Sequence, residues 1–388
     1  MHSKIEVRKI QPGDEQAVID LHYFHYWRTH CLLLNPNFYR WQFIEAPDCA
    51  SAGGDQSIVA ISHNGELLSY LGLVPMAASF RGTPIRAAHL ITWLTAPGAR
   101  GQGVGLQLMS YVVARFEFLF GRSVTPPALA IYRQLGFRYF KPCNRWIAVL
   151  DPDATVSLAV DPSELSVKRA HALTVRLEMP GTFFVSRKVP PGADVLSKAV
   201  LLESTAFDRT KTVMSWRYEK HPFLHYTFLS LGDPMRPDGI AVLRTEEVRD
   251  RPGKVLRILE FIAAQEHSAN LAEAVLAYGF ENRCAYADIF GMSERFVAGF
   301  VAAGGFNAIE EPNLCLPHLF QPWEPEVEPP GLLFFGRRSS LKDRIGPVDD
   351  MTRVYVSKGD GNMDWPSWVP SPEGESVAPL TREGLKRE

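Results

Sequence analysis

The sequence predicts an α/β (α+β) chain built of two similar domains. Three observations point there. Short apolar runs of strand character alternate with amphipathic helical stretches from the start of the chain. Anchor residues recur in order: Arg40-Trp41-Gln42-Phe43 as Ser215-Trp216-Arg217-Tyr218, Phe120-Gly121-Arg122-Ser123 as Phe290-Gly291-Met292-Ser293, and Gly136-Phe137 as Gly305-Phe306. Trp to Phe spans 79 residues in the first half and 74 in the second, the spacing of an internal duplication. The third observation is a strand, a glycine-rich loop and a helix start at Leu90–Gly105, which the second half lacks.

Composition bounds the function. A chain of 388 residues, 46% hydrophobic and 22% charged, has room for two or three ordinary globular domains. Lys+Arg is 41 and Asp+Glu is 43. That balance excludes a strongly basic nucleic-acid binder and an acidic-tail protein, though not a local basic groove. The longest nearly uncharged apolar run, Leu67–Ala78, falls well short of the roughly 18 residues that a membrane helix needs. Met1–Lys9 holds no apolar core of the kind a secretory leader carries, so none is expected. Cys31, Cys49, Cys143, Cys284 and Cys315 are odd in number and far apart. No CxxC and no Cys/His cluster at zinc spacing occurs, so the reading is a reduced, cytoplasmic protein with free thiols and no metal.

The elements follow in order. Ile5–Ile10 alternates as a short strand, Gln11–Asp14 turns, and Asp14 is placed to cap a helix reaching about Thr29. Ile58–Ile61 and Leu67–Val74 form a hairpin across His63-Asn64-Gly65, because Asn-Gly suits a turn with positive φ at both positions. Ala87–Thr95 is the next strand. Leu106–Phe116 is helical, Phe116–Phe120 a strand, and Ala128–Leu135 a helix stopped by Gly136. Asp151–Pro191 reads as a connection with strands of its own. Gln321–Pro330 reads as a Pro- and Glu-rich linker, Leu332–Phe335 and Thr352–Val356 as strands, and the polar end from about Glu373 as mobile. The organisation is thus 1–150, a connecting segment 151–195, a second domain 196–320, and an extension 321–388.

The chemistry concentrates in Leu90–Gly105. Backbone N–H groups at a helix start lack internal partners and carry positive dipole, so they suit a diphosphate. Gly103 and Gly105 allow close approach, and Arg100 adds charge. A Walker A loop would need Gly-Lys-Ser/Thr, and Gly105-Leu106-Gln107 lacks it. A dinucleotide fingerprint would need a third glycine where Leu106 stands. Arg100-Gly101-Gln102-Gly103-Val104-Gly105 fits R/Q-x-x-G-x-G/A throughout.

With that loop the first half resembles the GNAT superfamily of N-acetyltransferases. Ala128-Leu129-Ala130-Ile131-Tyr132-Arg133-Gln134-Leu135-Gly136-Phe137 resembles the family's A-x-x-x-Y-x-x-x-G-F helix. The resemblance covers about residues 4–150. It implies two GNAT-like domains, each a mixed central β-sheet flanked by helices. It implies acetyl-CoA or another acyl-CoA as co-substrate, held by Trp93, Leu94, Thr95, Arg100, Gly101, Gln102, Gly103, Val104 and Gly105. Tyr132 falls at the position that protonates the leaving thiolate. Thr125 stands where the family often has Asn.

The base is less marked. The central strand carries no carboxylate between Arg86 and Arg100, which leaves His89 as its titratable group. His22 and His25 lie three apart on the first helix. Trp41 and Trp216 read as core anchors or as walls of two clefts. Leu256–Ile262 resembles the central strand again, but Ala263–Asn270 offers no glycine and carries Glu266. Phe300 or Val301 stands in register with Tyr132. The second half therefore reads as a GNAT-like domain that binds no CoA.

The resemblance implies an acyl-CoA-dependent N-acyltransferase acting on a primary amine of a small molecule, with an amino sugar as one acceptor class. The implied partners include no nucleic acid and no membrane insertion, and a homodimer is compatible. A peptidyltransferase like the Fem family would use aminoacyl-tRNA and would not need the loop. A non-catalytic CoA sensor would keep the loop without a base.

Overall fold

The computed structural model describes residues 5–25, 36–122, 124–160, 162–176, 181–248, 251–317, 332–336 and 351–361. Two mixed sheets organise them. The first holds β1 (Glu6–Lys9), β2 (Ile58–Ile61), β3 (Leu67–Phe80), β4 (Thr83–Thr95), β5 (Phe118–Arg122), β6 (Arg138–Phe140), β9 (Thr205–Phe207), β15 (Leu332–Gly336) and β16 (Val354–Tyr355). Its order is β1-β2-β3-β4-β5-β15-β6, with β9 on the far end of β3 and β16 beside β9. The second holds β7 (Arg145–Val149), β8 (Phe183–Ser186), β10 (Thr227–Leu231), β11 (Gly239–Glu247), β12 (Lys254–Ala263), β13 (Cys284–Phe290) and β14 (Phe306–Asn307), in the order β14-β7-β13-β12-β11-β10-β8. Helices flank both sheets, and none among the described residues is long and apolar enough to cross a membrane.

The halves exchange strands. β15, from late in the chain, lies between β5 and β6 of the first sheet. β7, from the first half, lies between β13 and β14 of the second. Each sheet is completed by the other half. The repeat carries a local two-fold: Trp41 Nε1–H donates to the Trp216 carbonyl (2.9 Å), and Trp216 Nε1–H donates to the Trp41 carbonyl (2.8 Å). The two indoles stack at 5.1 Å. They are buried in an aromatic core with Phe118, Phe120, Phe207, Phe290 and Phe334, so they anchor the two halves, and Trp216 also lines a groove between them.

Local differences from the sequence reading have plain causes. The Asn64-Gly65 connection is a five-residue loop in which only Gly65 takes positive φ. Ser62 Oγ holds it by accepting from the Asn64 and Glu66 N–H groups. The two-residue turn with positive φ at both positions is Arg81-Gly82, between β3 and β4. Helix α1 (Glu15–His25) is preceded by Asp14, whose carboxylate takes the Arg8 guanidinium and the Gln11 N–H. Within the connecting segment 151–195, the expected strands are mostly helix: α4 (Pro152–Leu158) is capped by Asp151 and α5 (Glu164–Ala172) by Ser163. The linker at 321–330 and the end beyond 373 lie outside the described residues, as does the extension of α1 to Thr29.

Candidate active site

β4 makes the site by parting from its neighbour. It pairs in parallel with β5 from Ala87/Phe118 to His89/Phe120, and then runs to Thr95 without β5. Opposite β3, Ile91 and Thr92 face Gly72 alone, a bulge that re-aims the strand. After Thr95 a single turn at Pro97–Ala99 and the loop Arg100–Gly103 lead into helix α2 (Val104–Val113). No side chain caps this helix, and its first backbone bond runs from Gln107 N–H to the Gly103 carbonyl. The N–H groups of Val104, Gly105 and Leu106 precede that bond and point out of the helix start.

The glycines divide the work. Gly101 and Gly103 take φ of +76° and +78°, and a Cβ at either would meet nothing within 4 Å. The loop surface there is open, and the left-handed backbone is what excludes other residues. Gly105 serves differently from the sequence reading. A Cβ there would lie 2.8 Å from the Trp93 ring, so this glycine admits the indole rather than a phosphate. Arg100 Nε–H donates to the Thr95 carbonyl (3.1 Å), and Gln102 Nε2–H to the Gly98 carbonyl (2.6 Å), which brace the loop.

Two aromatic side chains with polar tips, Trp93 and Tyr132, meet beside the loop. Trp93 Nε1 is buried and has no hydrogen bond among the described residues. Tyr132, on α3 (Pro126–Gln134), sets its ring edge-on to Trp93 at 5.3 Å and to Phe137 at 4.8 Å. Burial pushes its phenol above the usual range, so it is protonated at neutral pH. A buried donor without a partner is uncommon in a folded protein. Together with the open glycine surface and the uncapped helix start, it fits a ligand with phosphates at the loop and an amide-bearing arm along β4. Leu94 is buried on the opposite face. Its carbonyl accepts from Ser69 Oγ (2.6 Å), whose oxygen also meets the Thr95 hydroxyl (2.9 Å).

His89 is placed apart from Trp93 and Tyr132. Its ring packs on Phe207 at 4.0 Å, Nδ1 accepts from the Gly361 N–H (3.2 Å), and Nε2 faces Asp360 at 3.7 Å. Burial, and then the charges of Arg217 and Arg209, hold the imidazole neutral, well below its ordinary pKa. Residues 355–361 thus form a buried strap that ends against β4. Asp360 also pairs with Arg209 (2.7 Å), and Arg209 with Glu260 (2.8 Å). The sequence reading missed this strap, since nothing local to Asp360 signals a partner more than 270 residues away.

On the α1 face, a cavity of about 410 Å³ is lined by Glu15, Val18, Ile19, His22, Tyr39 and Tyr70. Tyr70 lies opposite Leu94 across β3 and β4. Arg40 and Ile44 line both this cavity and a wider groove of about 800 Å³ between the halves.

Comparison with known proteins agrees with this geometry. Residues 6–140 match the family described as acetyltransferase (GNAT) domain. That match spans most of the first half of the chain. A GCN5-related N-acetyltransferase from Anabaena variabilis shares the fold at TM-score 0.52 and 13% identity, over 85% of this chain and 72% of that one. A conserved protein of unknown function from Enterococcus faecalis, described as a probable N-acyltransferase, does so at TM-score 0.53 and 10% identity, over the same shares. No curated protein matches the chain. The span of those two structural matches extends the likeness across both halves, and at such identities it speaks to fold.

The second sheet shows the same parting of parallel strands with a different helix start. β12 and β13 pair in parallel from Lys254 to Ile258, and β12 continues alone to Ala263. The turn at Gln265–His267 then enters helix α6 (Ser268–Glu281) directly, with no intervening loop. Gly299, on α7 (Glu294–Ala302), packs on that helix start: its Cβ would lie 2.1 Å from the Ser268 carbonyl carbon. Ser268 Oγ accepts the Gly299 N–H (3.1 Å). Beyond the last β12–β13 pair, the Phe261 N–H donates to the Tyr355 hydroxyl (3.2 Å), which donates to Glu260 (2.8 Å). The counterpart of Tyr132 is Phe300. In both helices the main chain closes alike, Phe137 N–H to the Tyr132 carbonyl and Gly305 N–H to the Phe300 carbonyl. Gly136 and Gly304 take positive φ in matching places, so the repeat of Gly136 is Gly304 rather than Gly305.

Proposed function

We propose that the protein is an acyl-CoA-dependent N-acyltransferase, with acetyl-CoA or another acyl-CoA as donor and a primary amine of a small molecule as acceptor. The observation that carries this reading is the open glycine surface at Gly101 and Gly103, ahead of an uncapped helix and beside the place where β4 leaves β5. When bound, the thioester supplies an acyl group and a thiolate leaving group. Val104, Gly105 and Leu106 N–H groups with Arg100 hold the phosphates. Trp93 Nε1–H and the edge of β4 beyond His89 orient the arm. The amine attacks the acyl carbon, the C–S bond breaks, and the Tyr132 phenol donates its proton to the sulfur. Burial keeps the phenol protonated at neutral pH. The proton lost by the amine nitrogen passes by way of solvent to the tyrosinate, which restores the phenol. The neutral His89, held by Gly361 and Asp360, keeps the strap against β4.

Calorimetric titration of CoA tests the reading. Arg100→Glu and Gly103→Val are expected to weaken CoA binding at least tenfold while the fold survives, because both changes lie on an exposed loop. Unchanged affinity in both variants would show that the phosphates bind elsewhere.

A further inference from the structure

A second cavity of about 410 Å³ lies away from the glycine loop and from the α1 face. It is walled by the far end of β3, the start of β4, β9 and the helix Ala193–Val200. From Ile85 on its wall, β4 runs about 25 Å to reach Trp93, at about 3.3 Å per residue. The walls are largely apolar. Ala78, Ile85 and Phe207 belong to the aromatic core around Trp41 and Trp216, and Leu201 to the core of the second sheet. A space of this size and lining is that of a small-molecule site, larger than one or two buried waters fill.

The polar groups on its wall are unequally satisfied. Arg209 spends its donors on Glu260 (2.8 Å), Asp360 (2.7 Å) and the Phe207 carbonyl (2.9 Å). Asp194 accepts from the Lys211 N–H. Asp208 differs. Among the described residues its carboxylate makes no hydrogen bond and no ion pair. Its main-chain N–H donates to the Ala77 carbonyl (2.8 Å), which fixes the residue and leaves the side chain to the cavity. Asp208 is half-buried rather than sealed, so an occupant of the cavity can reach it. Burial lifts its carboxyl above the ordinary range, Arg209 lowers it, and the charge of Asp48 lifts it again. Ser197 lines the same cavity and is 4% exposed, and its hydroxyl has no hydrogen-bond partner among the described residues. Groups left so in a folded protein call for a partner from outside the chain.

Charge and shape define that partner. Asp194 and Asp208 are set against Lys198, and the charge of Arg209 is already met by two carboxylates, so the wall is net negative. That balance favours a cation. The described residues hold no group of three or more His, Cys, Asp or Glu that could bind a metal ion. Apolar walls also suit a hydrated ion poorly, since a hard cation keeps its waters or takes several oxygens. An ammonium on an apolar body satisfies both sides of the cavity. Its N–H meets a carboxylate in a charge-assisted hydrogen bond, and its carbon covers apolar wall.

We propose that this cavity binds a small organic amine in its cationic form, with the ammonium on Asp208 and the apolar body along Ile85, Leu201 and Phe207. The site is separate from the acyl-transfer centre and does not depend on that reading. Phe207 and Arg209 of its wall also hold the His89 ring and Asp360, so the ligand and the strap share two residues.

Calorimetric titration of the full chain with N,N-dimethylphenethylamine tests the proposal. Its tertiary nitrogen is charged at neutral pH and yields no stable amide, so it is no acyl acceptor. Phenethyl alcohol keeps the ring and lacks the charge, and hydrocinnamate reverses it. The amine is expected to bind the wild type at least tenfold more tightly than either. Asp208→Asn is expected to lower amine affinity at least tenfold and to leave the alcohol's affinity unchanged. The melting temperature of the free variant should not fall, because the carboxylate has no partner to lose. Asp208→Glu is expected to keep part of the amine affinity. Saturating CoA should leave amine affinity unchanged. Equal affinity for amine and alcohol overturns the proposal, as does absence of amine binding or unchanged amine affinity in Asp208→Asn. A free Asp208→Asn protein that melts lower or does not fold marks a carboxylate required by the fold, and overturns it too. Displacement of the amine by CoA would place it in the acyl-transfer centre, and displacement by Mg²⁺ at equal ionic strength would show a metal site, each overturning the proposal. Loss of CoA binding in the loop variants, or its persistence, bears on the acyltransfer reading alone.

Discussion

The two lobes start their central helices from the same turn and use glycine for opposite ends. In the first, Gly101 and Gly103 leave a left-handed loop facing open space, and α3 reaches the helix start through the Ile131 side chain, 3.6 Å from a Cβ placed at Gly105. In the second, the loop is missing and Gly299 of the following helix presses onto Ser268. Tyr132 offers a hydroxyl, while Phe300 offers none. Even the opening between the parted strands is treated differently, since Tyr355 satisfies the Phe261 N–H in the second lobe. The two helix starts thus differ in helix contact, while the sheet and its parting are alike.

The largest effect that would break this comparison is steric. Gly299→Ala places a methyl within 2.1–2.3 Å of the Ser268 and Ala269 backbone, which flexible side chains cannot relieve. The expected loss is about 3 kcal/mol in urea unfolding. Gly103→Ala has free space around it and only an unfavourable φ, so about 1 kcal/mol is expected. Equal losses would mean that the second helix pair is looser than described.

Next comes the hydroxyl that separates Tyr132 from Phe300. Tyr132→Phe keeps the ring against Trp93 and Phe137 and removes the proton donor. A positioned general acid is worth about 10²–10⁴ in rate, and water can replace part of it, so a fall of about 10² in kcat is expected with CoA affinity unchanged. Wild-type kcat in a chemistry-limited assay would remove the phenol from the mechanism. Phe300→Tyr is expected to add no activity at all.

Tyr355→Phe should cost less. It leaves the Phe261 N–H without its acceptor and Glu260 with one fewer donor. Glu260 still accepts from Tyr218 (2.6 Å) and Ser357 (2.9 Å), so about 1–2 kcal/mol is expected in chemical denaturation. No change would mean that the strap seals the second lobe by packing alone.

What the sequence made legible follows from range. The glycine loop and the Tyr132 helix were readable because their residues act within one turn of one another. Phe300 was readable only to within a residue, since the capping glycine sits in a Gly304-Gly305 pair and the main-chain bonds decide between them. The exchange of β7 and β15 was not readable: a strand's residues declare that it pairs, not with whom. The strap from Tyr355 to Gly361 was hidden for the same reason. Arg40 and Arg217 are charged where the other Trp-centred repeat has Ser215 and Gln42, a signal that gains meaning only once Arg217 is seen to be buried.

The smallest effect expected concerns Glu266. On sequence alone, this acid and the missing glycines explain why the second lobe would reject CoA phosphates. In the structure Glu266 is exposed, within a turn that leads directly into Ser268. The Gly299 backbone packs on the helix start itself. Glu266→Gly therefore removes a negative charge and a side chain without removing the occupant. Calorimetry should give one CoA per chain for both the wild type and Glu266→Gly, with indistinguishable affinity at the first lobe. A second CoA bound by Glu266→Gly would show that charge, and not helix contact, closes the second lobe. A second CoA bound by the wild type would show that it is not closed.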